Sequence, residues 1–144
     1  MDKTLIGSIK EYLLKCPYLD ELKQINVNFL PEDPTTYSIE QVPSTSILKK
    51  YLDGSSERQF VFVFASRMFY SDEIVSQIQN SGFFEKFQYW LEENSSNNIL
   101  PELEDGLIPL EIEAQSSGYL FDISGDLSNA RYQIQCRLIY EKEA

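Results

Sequence analysis

Two carboxylates, Asp122 and Asp126, flank a Ser-Gly pair in the stretch GYLFDISGDLSNARYQIQCRLIY, residues 118–140. Paired acids of this kind perform glycoside hydrolysis, one protonating the leaving oxygen while the other activates water or attacks. Carboxylates beside Gly and Ser also make ordinary turns. No second acid pair, sugar-stacking platform or nucleophile signature accompanies these two, so they are read as turn residues. A second acidic group, Glu102, Glu104 and Asp105 ahead of Gly106, offers the hard oxygen ligands that calcium takes. Its spacing does not match an EF-hand loop, and a solvated loop without metal is expected.

Other chemistry is limited by what the chain lacks. It contains no histidine, which removes Ser-His-Asp and Cys-His catalysis in their usual forms. Histidine-bearing zinc sites go with it, and two cysteines cannot complete an all-cysteine tetrahedron. Acid–base work would fall to carboxylates, Lys or Tyr. Cys16 and Cys136 stand outside any CxxC motif and are expected to be buried, reduced thiols. None of GxxxxGK[ST], GxGxxG or GxSxG occurs. The expectation is a protein that is not an enzyme and carries no cofactor.

The chain has 144 residues, of which 42% are hydrophobic, with 9 Phe, 9 Tyr and 1 Trp. That suits one domain with a substantial core. A formal net charge of -11 repels the phosphates of nucleic acid, so a sequence-reading DNA binder is not expected. The same charge is compatible with a protein that lets DNA pass without gripping it. The start, MDKTLIGSIKEYLLK, mixes charged and apolar positions and does not resemble a secretory signal. No run approaches the length needed to span a bilayer. A cytoplasmic origin is expected.

Elements that would position these residues follow from periodicity. Residues 2–15 read as an amphipathic helix, capped by Asp2, with Leu5, Ile9, Tyr12, Leu13 and Cys16 on one face. Pro17 stops it. QINVNFL alternates, placing Ile25, Val27 and Phe29 on one side, and TYSIEQV alternates through Tyr37 and Ile39. ILKKYLDGSSERQFVFVFASR reads as a hairpin turning at Asp53-Gly54-Ser55-Ser56. Its second arm is apolar on both faces, Phe60, Phe62 and Phe64 against Val61, Val63 and Ala65. Such a strand belongs in the centre of a sheet, covered on both sides by helices, a second sheet or another subunit.

Ser71-Asp72-Glu73 is a helix start whose buried stripe is Ile74, Val75 and Ile78. Asn80-Ser81-Gly82 is expected to break this helix. A further helix carries Phe83, Phe87, Trp90 and Leu91, and dissolves in NSSNN, residues 94–98. Residues 99–108 read as a loop. Leu110, Ile112 and Ala114 then alternate with Glu111, Glu113 and Gln115. Ser116-Ser117-Gly118 turns the chain, and Tyr119, Phe121 and Ile123 share a face. In the last strand Tyr132, Ile134, Cys136, Leu138 and Tyr140 oppose Arg131, Gln133, Gln135 and Arg137. The fold class is α+β: a single domain, residues 1–144, with a mixed or antiparallel sheet of about six or seven strands and three flanking helices.

Four arginines, Arg58, Arg67, Arg131 and Arg137, lie in or beside these strands. Their planar forks suit carboxylates. In so acidic a chain they are candidates for a subunit interface, pairing with acids of a neighbouring copy. The alternative is solvent-facing positions or ion pairs within the chain.

The stretches CPYLDELKQINVNFL, YSIEQVPSTSILKKYLDGSSERQFVFVFASR, IQNSGFFEKFQYWLEE, LPELEDG and residues 118–140 together resemble a family of small proteins from tailed phages and prophages of Gram-positive bacteria. Members are labelled minor capsid (head–tail joining) proteins, and by size and element order look like tail terminators. The resemblance spans residues 12–140 as a diffuse pattern rather than a motif. Some relatives carry the label chloramphenicol resistance protein; the histidine base of that acetyl transfer is absent here. The resemblance implies a homo-oligomeric ring, expected as a hexamer, on the last ring of tail tube protein. It would stop tube growth and dock the neck or connector proteins, being assembled in the host cytoplasm and residing in the virion tail or neck. A connector or stopper protein of the neck is the nearest alternative, and a small carboxylate-dependent enzyme the one from a different class.

Overall fold

The computed structural model describes residues 4–19, 25–31, 36–69, 74–125 and 128–144. Two long strands form its axis, β4 (Ser56–Phe69) and β7 (Asn129–Lys142), paired antiparallel along their whole length from Ser56 opposite Lys142 to Phe69 opposite Asn129. Each is flanked on its outer edge by two shorter strands laid end to end. Beside β4 run β2 (Thr36–Gln41) and β3 (Ile47–Lys50); beside β7 run β5 (Leu107–Ala114) and β6 (Tyr119–Ile123). A short parallel strand, β1 (Ile25–Val27), extends the sheet beyond β2. Among the described residues the sheet is therefore mixed and seven-stranded, and with two helices the fold is α+β.

Both helices lie on one face. α1 (Leu5–Leu13) buries Ile9, Tyr12 and Leu13, with Cys16 just beyond its end. Its N-cap is Thr4, whose hydroxyl accepts from the Gly7 amide at 3.1 Å; Asp2, expected in that role, lies outside the described residues. α2 (Ile74–Ser96) runs unbroken through Asn80, Ser81 and Gly82, where a break was expected. A mid-helix Gly costs only about 1 kcal/mol relative to Ala, less than the aromatic packing downstream returns. The proposed start at Ser71-Asp72-Glu73 lies outside the described residues, as do the side chains of Ile74, Val75 and Ile78. The helix ends in NSSNN as the composition suggests. Asn98 takes a left-handed φ of 58°, the Asn98 amide donates to Ser95 O, and the Ile99 amide donates to Asn94 O. These two bonds close a Schellman cap with Asn in the usual glycine position.

The core is an aromatic layer between α2 and the Phe face of β4. Phe64 stacks on Phe87 at 4.6 Å between centroids, Tyr37 on Phe64 at 5.8 Å, and Phe84 on Tyr132 at 6.3 Å. Tyr12 meets Trp90 at 5.2 Å. The Tyr12 hydroxyl also donates to Ile99 O at 2.8 Å and accepts from Asn94 at 3.1 Å, tying α1 to the capped end of α2. On β7, Tyr132, Ile134, Cys136, Leu138 and Tyr140 are all buried, as their alternation predicts.

Four readings need correction. Phe84, not Phe83, is the deepest residue of its turn; Phe83 and Trp90 are half-buried flanks. β1 is only three residues long and buries Ile25 alone, because Asn28 adopts a left-handed φ of 57° and leaves Val27 and Phe29 exposed. A bulge between Pro109 and Glu111 turns Leu110 outward, and β5 begins at Leu107, inside the expected loop. A second bulge, between Leu120 and Asp122, breaks the expected common face of Tyr119, Phe121 and Ile123.

Gly118 holds α2 against the sheet's edge. A Cβ there would lie 2.3 Å from Phe84 Cβ and 2.5 Å from Phe84 Cγ. Gly118→Ala therefore forces a core aromatic to move, at about 1–3 kcal/mol for overpacking. Urea denaturation should show that loss; an unchanged midpoint would mean that this close approach does not constrain the helix.

Candidate interaction surface

The face of the sheet away from the helices carries the other side of the β4–β7 pair. Cross-strand register places Arg67 beside Arg131 and Val61 beside Arg137 there, whereas Arg58 pairs with Tyr140 on the helix-covered side. Three of the four candidate arginines thus share a face and the fourth does not. Arg58 donates from Nε to Ser56 Oγ at 3.0 Å. Burial pushes the Tyr140 hydroxyl above its ordinary pKa, and the nearby Arg58 charge partly offsets this.

Arg131 and Arg137 are engaged within the chain. Arg131 donates to Glu40 Oε2 at 3.0 Å and to Gln133 Oε1 at 3.0 Å, with its guanidinium 5.1 Å from the centre of the Phe121 ring. Glu40 also accepts from Ser38 Oγ at 2.7 Å, and Gln133 donates to the Tyr119 hydroxyl at 2.6 Å. Glu40 sits on β2 and Arg131 on β7, so this side chain crosses β4 between Val63 and Arg67. Arg137 spans in the other direction, donating to Glu113 Oε1 on β5 at 2.6 Å and to Gln59 Oε1 on β4 at 3.1 Å. Arg67 donates to Pro31 O at 3.3 Å, and the preceding Leu30 packs on Val63 and Ala65 with Val42 beside it.

These contacts account for a strand apolar on both faces. β4 is central, as expected. Its Phe side is covered by helices, and its Val-Ala side by Leu30, Val42 and a lattice of long polar side chains whose stems pass over it.

The carboxylates considered for chemistry do not converge. Asp122 is exposed opposite Arg131, and Asp126 lies outside the described residues. Glu102, Glu104 and Asp105 are exposed, and among the described residues no group of three His, Cys, Asp or Glu is close enough to hold a metal ion. Cys16 and Cys136 are buried, and burial raises the Cys136 thiol far above its ordinary pKa, which suppresses the thiolate. Among the described residues no helix is long and apolar enough to cross a membrane.

Sequence reasoning did not single out the exposed apolar side chains at the rim of the sheet. Leu52, at the tip of the β3–β4 hairpin, is fully exposed, and Phe121 and Ile99 are each more than half exposed. Leu52 stands two residues before Gly54, whose φ of 93° makes the turn. Asp53 folds inward, accepting from the Ser55 amide and hydroxyl at 2.9 and 2.5 Å. Those bonds hold its carboxyl below the ordinary pKa. A Leu beside an Asp-Gly turn was the available signal. No protein-family model matches the chain, and no curated protein does.

Arg131→Glu sets two acids together over β4 in place of an ion pair. It should destabilise the isolated chain by about 1–2 kcal/mol in urea. If the arginine served only a neighbouring copy, the isolated chain's stability would not change.

Glu111 gives a pH test. Desolvation first, then the charge of Glu113 and a hydrogen bond with it, raise the Glu111 pKa, while Arg137 lowers it in part. The folded state therefore holds this proton longer than the unfolded chain, so stability falls as pH rises from the ordinary glutamate value through the raised one. Glu111→Gln should exceed the parent Tm at pH 7 by about 1–2 °C and converge with it near pH 4.

Proposed function

We propose that this chain is a structural subunit of a phage-type tail. It caps the end of the tail tube as a ring of identical copies, stops tube growth and offers its free face to the neck. The reading starts from the whole-chain resemblance to tail terminators. The single structural observation that best supports it is the apolar rim: Leu52 at 109% and Phe121 at 59% relative exposure, on opposite edges of one sheet. Both side chains hold apolar area that burial against another protein would remove from water. Placing them on two different edges suits heterologous contacts, in which each copy gives one surface and receives on another, and rotation closes the series into a ring.

The charge is consistent with the same role. A net charge of -11 on a ring around a DNA path offers phosphates nothing to hold, so DNA slides through without sticking. The role needs no covalent chemistry. Covering the last exposed rim of the tube is sufficient to end polymerisation, and mass action on the tube end draws the subunits into place.

Deleting the gene from the phage or prophage that carries it tests this. The expected products are separated heads and tails, the tails bearing ragged or overlong tubes in electron micrographs. Tails of normal length joined to heads would overturn the proposal.

A further inference from the structure

The β3–β4 hairpin is a prong. Its tip carries Tyr51 and the fully exposed Leu52, with exposed Lys49 and Lys50 at its base and Leu48 42% exposed beside them. Lys49 lies 5.6 Å from the centre of the Tyr51 ring. Lys49-Lys50 is the one place in the chain where two basic residues are adjacent. The neighbouring Asp53 carboxylate is occupied by Ser55, and Lys50 stands cross-strand from Ser56 while Lys49 faces Glu57, so the prong presents an apolar knob above two exposed lysines with one acid beside the first of them.

A surface of opposite character lies across the sheet. At this end of the molecule the strand order is β3, β4, β7, β5. Beyond β5 the segment after α2 forms a groove of about 480 Å³ walled by Leu100, Leu103, Ile108 and Pro109. Glu102, Glu104 and Asp105 stand exposed around it. From Lys86 to Arg131 the intervening sequence holds nine acids and no Lys or Arg; Lys142, cross-strand from Leu107, sets a single positive charge against the three acids of that rim.

We infer that the hairpin tip of one copy seats in this groove of a second copy of the same chain, with Leu52 in the apolar floor and Lys49 and Lys50 against Glu102 and Glu104. The occupant is a second copy because the two surfaces match in charge and in apolar character. They sit on opposite edges, two strands apart at the least, so one molecule cannot join its own. Each copy gives a prong and receives one, a head-to-tail contact that propagates rather than closing as a two-fold dimer. One hairpin in one groove is a small interface, so isolated pairs are weak and assembly strengthens as copies add. This specifies the contact by which copies join, and to that extent rests on the ring reading above.

The test uses the full-length chain in sedimentation velocity and native mass spectrometry. The wild type should assemble with rising concentration at low salt and dissociate as NaCl is raised, since exposed charge pairs are screened. Leu52→Asp should weaken self-association at least tenfold with unchanged Tm, because Leu52 packs on nothing in the isolated chain. Lys49→Glu/Lys50→Glu and Glu102→Lys/Glu104→Lys should each remain monomeric alone. Mixed in equal amounts they should assemble, because every hairpin then meets a groove of opposite charge. A wild type that stays monomeric at low salt and millimolar concentration overturns the inference. So does assembly that Leu52→Asp leaves intact, which would place the contact elsewhere while leaving the tail reading standing. Intact tails after gene deletion would remove the tail reading and leave this contact standing.

Discussion

Fourteen cross-strand pairs between β4 and β7 determine where every other part of the chain can lie. At about 3.3 Å per residue this double strand is roughly 45 Å long, too long for any one partner to edge it. Each long strand therefore takes two short ones in series. The breaks between them are where the chain leaves the sheet: residues 42–46 between β2 and β3, and the Ser116-Ser117-Gly118 turn between β5 and β6. The helices can sit only where β4 and β7 present aromatic and aliphatic rows. The opposite face is left to whatever side chains can reach across it.

Among the described residues that opposite face is covered without a third layer. Arg131 reaches from β7 to β2, Arg137 from β7 to β5, and glutamines fill the rungs between. Each charged head is paired and only partly exposed, and Val61, Val63 and Ala65 on the strand they bridge are buried. Such pairs contribute little individually when solvent reaches them. Their collective effect is to keep a strand that is apolar on both sides out of water. Covering by side chains also leaves the hairpin tip free, since among the described residues no helix folds over it.

Much of this was legible from sequence wherever a strand is paired on both edges. The alternation from Tyr132 to Tyr140 survives intact because β7 has neighbours along its whole length, and parity alone placed Arg131 and Arg137 on one face. The same parity puts Arg58 in register with Phe60 and so on the helix side. The edges were read less well. Pro109 and Phe121 sit at bulges, and a bulge inverts the alternation that follows it. Asn28 did the same to β1. Asn80-Ser81-Gly82 looked like a break because propensity is local, while the stacking of Phe84 and Phe87 on β7 and β4 that sustains the helix is not. Partners such as Glu40 and Glu113 were beyond reach, because they depend on strand order rather than on any spacing along the chain.

The pairing of residues 56–69 with residues 129–142 also sets a timetable. Roughly half the chain separates the two arms, so the central ladder carries a large loop-closure cost and favours slow folding. During synthesis β4 is made long before β7, its partner. Until then the Phe-Val-Phe-Val-Phe run has an open edge and no cover on either side, the condition under which nascent strands aggregate. The acidic segment from Glu92 to Asp122 is translated in that interval, and its charge keeps the waiting chains apart. The surplus of acid is thus of use to the chain before it has a surface at all.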